Sequence, residues 1–216
     1  MLGLKVTVPV ACFRKGFARE FWETEELPPP ATCYGFLLSF VGERDRRAHV
    51  GARVSPGLLN RPDRSVVLRT LWRIKDRKSA PGTGSNLRPD YQELLSAIEL
   101  VVWLDSSEEN PAGLNLEERV TMALDHPERI DRFGGLCLGE STHLVDEVRR
   151  LRPDDRGPAR TYVIEDRGRL SLPVWVDHVG TAGTRFVTGD LVELPLSPPP
   201  PSGRMPKIEP HEPPTK

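Results

Sequence analysis

Long apolar runs are missing from this chain. No window approaches the ~20 consecutive apolar residues that a membrane-crossing helix needs, and the N-terminus MLGLKVTVPV lacks a signal-peptide layout. A cytoplasmic protein with no membrane partner is therefore expected. Cysteine is scarce as well, with three in 216 residues. Cys12, Cys33 and Cys137 form no Cys-x-x-Cys pair and have no histidine at zinc-ligand spacing, so they read as buried small side chains. No metal and no cofactor are expected. Walker-type glycine loops, His-Glu-x-x-His and Gly-x-Ser-x-Gly are all absent, which removes support for nucleotide hydrolysis and acyl transfer.

Histidine is sparse too. Metal-free RNA cleavage needs a base for the 2′-hydroxyl and an acid for the leaving 5′-oxygen. Of the five histidines, His211 falls in a proline-rich tail, His126 sits beside Pro127 in an acidic stretch, and His178 follows Asp177 near a strand end. His49 and His143 are what remains for such chemistry, and a structural or solvated role is the expectation for each.

Charge, at 28% of residues, is plentiful and segregated, although the net charge is only −1. Residues 44–90 hold twelve Arg or Lys against four Asp, a net of +8. Residues 91–155 hold six Arg against fifteen Asp or Glu, a net of −9. A basic face of this kind suits a phosphate backbone, and an acidic one suits solvent or a basic partner. Scattered surface charge is the alternative.

The apolar pattern outlines one domain over residues 1–196. Residues 3–9 alternate, predicting a strand ended by Pro9, and residues 11–27 form a long loop carrying Arg14, Lys15 and Arg19 beside Phe17 and Trp22. Residues 49–54 read as a short strand and 56–63 as turn-rich. In residues 65–75, Val66, Leu68, Thr70, Trp72 and Ile74 share one side, expected to face the core. Arg69, Arg73 and Lys75 share the other. Residues 76–90 (DRKSAPGTGSNLRPD) form a flexible Gly-, Pro- and Ser-rich insertion bearing Arg77, Lys78 and Arg88. Residues 91–96 are helix or strand, and 97–104 a buried strand. A helix follows from an Asn115 cap, interrupted near Pro127. A glycine turn with Gly134 and Gly135 comes next, then three strands over 160–165, 169–176 and 185–194. Residues 197–216 are proline-rich and charged, so a disordered tail is expected. The order strand, helix, strand, strand, helix, strand is that of an α+β, ferredoxin-like domain of the RNA-recognition (RRM) type, with an insertion at 76–90 and extra C-terminal strands.

The stretch 27–43 (LPPPATCYGFLLSFVGE) is the most distinctive. Its prolines hold the chain extended, Thr32 is placed to cap a helix, and Gly35 sits inside that helix. A glycine there costs about 1 kcal/mol against alanine, so it is either a tolerated core residue or a point of close approach. Residues 6–43 resemble the N-terminal signature of the CRISPR-associated Cas-five family, and within it the DevS-like RAMP subunit of type I Cascade. The matching positions are Phe13, Arg14, Arg19, Glu20, Thr24, Pro29, Pro30, Thr32, Gly35, Leu37 and Leu38. SVVLRTLWRIKD (65–76), RPDYQELLSAIELVVWLD (88–105) and FGGLCLGES (133–141) extend the resemblance over most of residues 3–146.

The resemblance implies a RAMP-type core whose thumb contains the insertion at 76–90. It also implies antiviral defence: a subunit that caps the 5′ handle of CRISPR RNA within Cascade, abuts the backbone subunit and the large subunit, and meets target DNA through the complex. Some relatives process precursor guide RNA with a tyrosine just after the first helix and a lysine-histidine pair. Here Gly42, Glu43, Arg44 and Asp45 follow the helix, and no Lys-His dipeptide occurs. A non-catalytic binder is therefore expected. A metal-independent endoribonuclease, or an unrelated small-molecule-binding ferredoxin-like protein, is the alternative. The expected RNA contacts are Arg14, Lys15, Arg19, Thr32, Arg69, Arg73, Lys75, Arg77, Lys78, Arg88, Gly134 and Gly135.

Overall fold

Alternation carries over directly from sequence to structure in the first strand, β1 (Leu2–Ala11), where Leu4, Val6 and Val8 are buried. The computed structural model describes residues 1–16, 18, 20–72, 74–177 and 182–211. After β1 the chain makes a loop containing the two-residue strand β2 (Phe21–Trp22) and enters helix α1 (Pro30–Phe40).

Helix α1 starts two residues before Thr32, which is not its cap. Pro29 occupies that position and Pro30 the first turn, where a fixed φ and a missing N–H carry no penalty. Thr32 instead donates its backbone N–H to the Pro29 carbonyl at 2.9 Å. Gly35 faces outward, with nothing within 4 Å of the place a Cβ would take.

Strand β3 (Arg53–Leu58) begins later than the 49–54 expectation and includes Pro56. Proline is tolerated there because β7 pairs with β3 only at Gly57 and Leu58. Two long strands follow, β4 (Asp63–Trp72) and β5 (Leu87–Asp105), and then helix α2 (Leu116–Asp125). Asn115 and Glu118 form a reciprocal capping box at the start of α2. Strands β6 (Glu147–Arg150), β7 (Pro158–Ile164), β8 (Leu170–Trp175) and β9 (Arg185–Pro195) complete the fold.

Among the described residues the strands form one sheet in the order β6-β1-β5-β3-β7-β9-β8. Strands β2 and β4 pair with the N-terminal half of β5. All pairings are antiparallel except β2 with β5. Side chains of α1 and α2 join one face of β1, β5 and β3 in the main core. On the other face Val101 and Trp103 pack with Ala159, Leu196 and Met205.

Two expectations are corrected. The β4–β5 hairpin leaves the body as a ribbon, so no second layer covers the side expected to be core. Val66, Leu68, Trp72 and Ile74 are 54%, 62%, 73% and 73% exposed, whereas Arg69, on the opposite side, is half-buried. The tail expectation fails over residues 202–208, which pack on the domain. Ile208 exchanges backbone hydrogen bonds with Gly51 and Ala52 at 2.9 and 2.8 Å, and Met205 and Ile208 are fully buried. Proline content misled because two apolar side chains and a free edge of β3 are enough to fix a short extended segment.

The insertion at 76–90 lies at the tip of this hairpin and is knit together rather than loose. Asn86, fully buried, accepts the N–H groups of Lys75 and Asp76 at 2.8 Å each and donates to the carbonyls of Asp76 and Ser79. Among the described residues, no helix is long and apolar enough to cross a membrane.

Candidate nucleic-acid interface

The inner face of the hairpin, the loop after β1, the start of α1 and the loop after α2 meet around a cleft of about 530 Å³. Local contacts fix the first loop in place. Arg14 and Thr24 form an isolated bridge, the Phe13 N–H donates to the Thr24 hydroxyl at 2.8 Å, and the Thr24 N–H donates to Glu93 of β5 at 3.0 Å. This arrangement delivers Trp22 into the cleft wall.

Two guanidiniums lie over the Trp22 indole, Arg14 at 4.2 Å and Arg69 at 5.4 Å from the ring centroid. Arg14 also donates to the Ala18 carbonyl at 2.6 Å. Arg69 donates to Gln92 and, at 2.8 Å, to the Glu140 carboxylate, which accepts from Gln92 at 2.7 Å as well. A rigid patch of positive charge beside an aromatic face results, with Thr32 and Pro29 of the α1 start as its neighbours.

His143 supports the floor of the cleft. Its Nδ1 accepts the N–H groups of Cys12 and Glu140, each at 3.2 Å, so the neutral ring carries its proton on Nε2. Burial pushes its pKa below the ordinary histidine value, and the nearby Arg69 adds to this while Glu140 opposes it. Gly139 adopts φ +99°, and a Cβ there would lie 2.9 Å from the Cys12 carbonyl, so only glycine lets this loop close on β1.

The structure brings Arg14, Thr32 and Arg69 together in the cleft. Lys15 stands nearby, paired with Glu23 at 3.5 Å, and Arg88 pairs with Asp90 on the inner face of the hairpin. Lys75, Arg77 and Lys78 are exposed at the hairpin tip, so Lys75 does not continue the strand face of Arg69. Gly134 and Gly135 lie in an exposed turn and do not line the cleft, whereas Gly139 does. Arg19 and Arg73 lie outside the described residues.

Sequence reasoning missed Gln92 and Glu140 as site residues and gave Trp22 no role beyond a place in the basic loop. The sheet face opposite the helices offers no open platform, because Val101 and Trp103 are buried against Leu196 and Met205. His49 is also buried away from the cleft, held by Glu109 at 2.7 Å and Arg119 at 3.0 Å.

No protein-family profile matches the sequence. A protein of Myxococcus xanthus (strain DK1622), described as CRISPR-associated protein Cas5, is 54% identical over 200 residues. The match spans 92% of this chain and 93% of that protein. The chain belongs to the Cas5 family. Among solved structures, a chain of a CRISPR RNA-guided surveillance complex superposes with a TM-score of 0.59 at 14% identity, over 90% of this chain and 89% of that one. A Cas protein crystal structure gives a TM-score of 0.51 at 17% identity, over 95% and 97% of the two chains. This Cas5 family member thus shares with them a mixed α/β fold built on a large antiparallel sheet. The resemblance read from residues 6–43, 65–76, 88–105 and 133–141 is borne out at the level of the Cas5 family.

Proposed function

We propose that this Cas5 family member is a non-catalytic subunit of a type I Cascade effector complex of the DevS-like branch, acting in the cytoplasm. In this reading it binds CRISPR RNA and caps its 5′ handle. Strands β6-β1-β5-β3 with α1 and α2 are its ferredoxin-like RAMP core, and the β4–β5 hairpin is its thumb. The observation that carries the reading is the pair of guanidiniums stacked on Trp22 in a cleft beside the start of α1. Cations beside an aromatic face are what single-stranded RNA requires: the cations hold phosphate and the ring plane holds a base or an arginine. Lys75, Arg77 and Lys78 at the hairpin tip extend this charge along the strand of RNA.

The outer face of the hairpin supports a protein neighbour. Phe21, Val66, Leu68, Trp72 and Tyr91 are exposed there, with Arg64 at the body end of the same side, and this largely apolar patch suits the backbone subunit better than RNA. The large subunit and, through the complex, target DNA are the further partners in this reading. Lack of catalysis is supported by the engagement of both site-like histidines in internal hydrogen bonds.

The test is to sequence RNA that co-purifies with the tagged protein and to incubate the protein with a labelled repeat hairpin, with and without divalent metal. A discrete repeat-derived 5′ end and an intact hairpin are expected. Random RNA or none overturns the capping role. Specific cleavage that is lost in His143→Ala would establish the endoribonuclease instead.

A further inference from the structure

The turn that follows α1 carries a second cluster of arginines that the cleft does not use. Glu43 accepts the N–H groups of Arg44 and Asp45, both at 2.8 Å, and its other oxygen takes Arg119. Asp45 accepts the Arg47 N–H at 2.8 Å, and the Tyr34 hydroxyl donates to the Arg46 carbonyl at 2.8 Å. The acidic groups of this segment are therefore engaged with its backbone and with Arg119, and the turn is rigid.

Arg46 lies over the Trp175 ring at 4.3 Å and donates to the Val176 carbonyl at 2.6 Å, while Arg47 sits 5.7 Å from the same ring. Arg44 and Arg47 are exposed, and no carboxylate pairs with either guanidinium among the described residues. Arg132, over Phe40 at 5.9 Å, adds a further guanidinium near the same end of α1. The cluster stands a full helix away from the cleft, since the 11 residues of α1 span about 16 Å.

We propose that this turn is a second nucleic-acid contact, a backbone clamp for duplex DNA formed by Arg44 and Arg47. The chemistry distinguishes it from the cleft. Single-stranded sites pair cations with an accessible aromatic face: Trp22 is half-buried and lines the cleft, whereas Trp175 is buried and lines no such cleft, so no unpaired base can stack there. What remains is fixed positive charge with no reader of base edges, which favours the regular phosphate array of a duplex. The choice of DNA as that duplex rests on the proposed function, in which target DNA is the double-stranded partner.

The test uses the full chain and two probes, a random-sequence DNA duplex and the single-stranded 5′-handle RNA, titrated over a range of salt. For Arg44→Gln with Arg47→Gln, duplex affinity should fall at least about tenfold and its salt slope should flatten by about 2, one unit for each phosphate that is no longer neutralised. Handle-RNA affinity and melting temperature should stay unchanged. Arg14→Ala with Arg69→Ala should give the reverse pattern. Unchanged duplex affinity in a folded double variant overturns the clamp, as does failure of the parent chain to bind duplex. An equal loss of RNA and duplex binding also overturns it, because the two sites would then be one. If no variant and no parent binds handle RNA while the duplex effect persists, the capping role fails and the clamp stands.

Discussion

Arg69 on β4 donates to the Glu140 carboxylate at 2.8 Å and thereby ties the projecting hairpin to the loop behind α2. The same guanidinium lies over Trp22, so one side chain joins three separate parts of the cleft. Glu140 orients Arg69 and also partly neutralises it.

Opposite effects are expected when the two are changed. Arg69→Ala should weaken handle-RNA binding about tenfold, consistent with removal of one charge-assisted hydrogen bond of about 1.5–3 kcal/mol, and should flatten the salt dependence. Glu140→Gln keeps an oxygen for Arg69 but removes the negative charge, so affinity should rise. Fluorescence anisotropy over a salt series measures both, and equal affinities in all three proteins would rule out the cleft as the RNA site.

His143 gives the structure a pH dependence of defined sign. Burial holds its pKa below the unfolded value, so the unfolded chain binds the proton more readily. The stability contributed by the neutral ring is fully present above the unfolded value of about 6.5 and is lost as pH falls through the lower folded value. Asparagine offers an amide oxygen near the Nδ1 position. The fall in melting temperature between about pH 8 and pH 5.5 should be smaller in His143→Asn than in the parent. An identical fall in both would remove His143 from the balance.

Truncation before Ser202 should destabilise the domain. Met205 and Ile208 are fully buried, and each such side chain contributes about 1.5–3 kcal/mol on burial. Lys207 also bridges to Glu108 at 2.9 Å. Ile208→Ala alone should cost about 2–5 kcal/mol, read as a lowered melting temperature. Composition by itself leads to the opposite expectation, a tail whose removal changes nothing, and an unchanged melting temperature would restore it.

The outer face of the hairpin separates assembly from folding. Leu68 and Trp72 are 62% and 73% exposed, so Leu68→Ser with Trp72→Ser should change stability by within about 0.5 kcal/mol per site. Handle-RNA binding should persist while the neighbouring Cascade subunit no longer co-purifies. Normal assembly by the double variant would show that this face is not an interface.

Local sequence was enough for several elements whose partner layer covers them in the usual way, though not for the bounds of β3 or for the four-residue β6. The alternation of β1, the near-continuous apolar run of β5, the Asn115 capping box and the three C-terminal strands are all written in the chain, because period and capping act over a few residues. So was membership of the Cas5 family. The sequence also singled out Arg14, Thr32 and Arg69. It could not show that they converge, because Gln92 and Glu140, which orient Arg69, stand 48 residues apart in the chain and meet only across the folded cleft.

Period two likewise divides β4 into two faces without saying which of them is covered. Tertiary structure decided that: a ribbon projecting beyond the body has no second layer, so its apolar side stays exposed and its arginine side turns inward. The tail followed the same logic in reverse. Its composition favours disorder, but the free edge of β3 offers backbone hydrogen bonds and two apolar sites, and a segment is ordered by the surface that receives it as much as by its own residues.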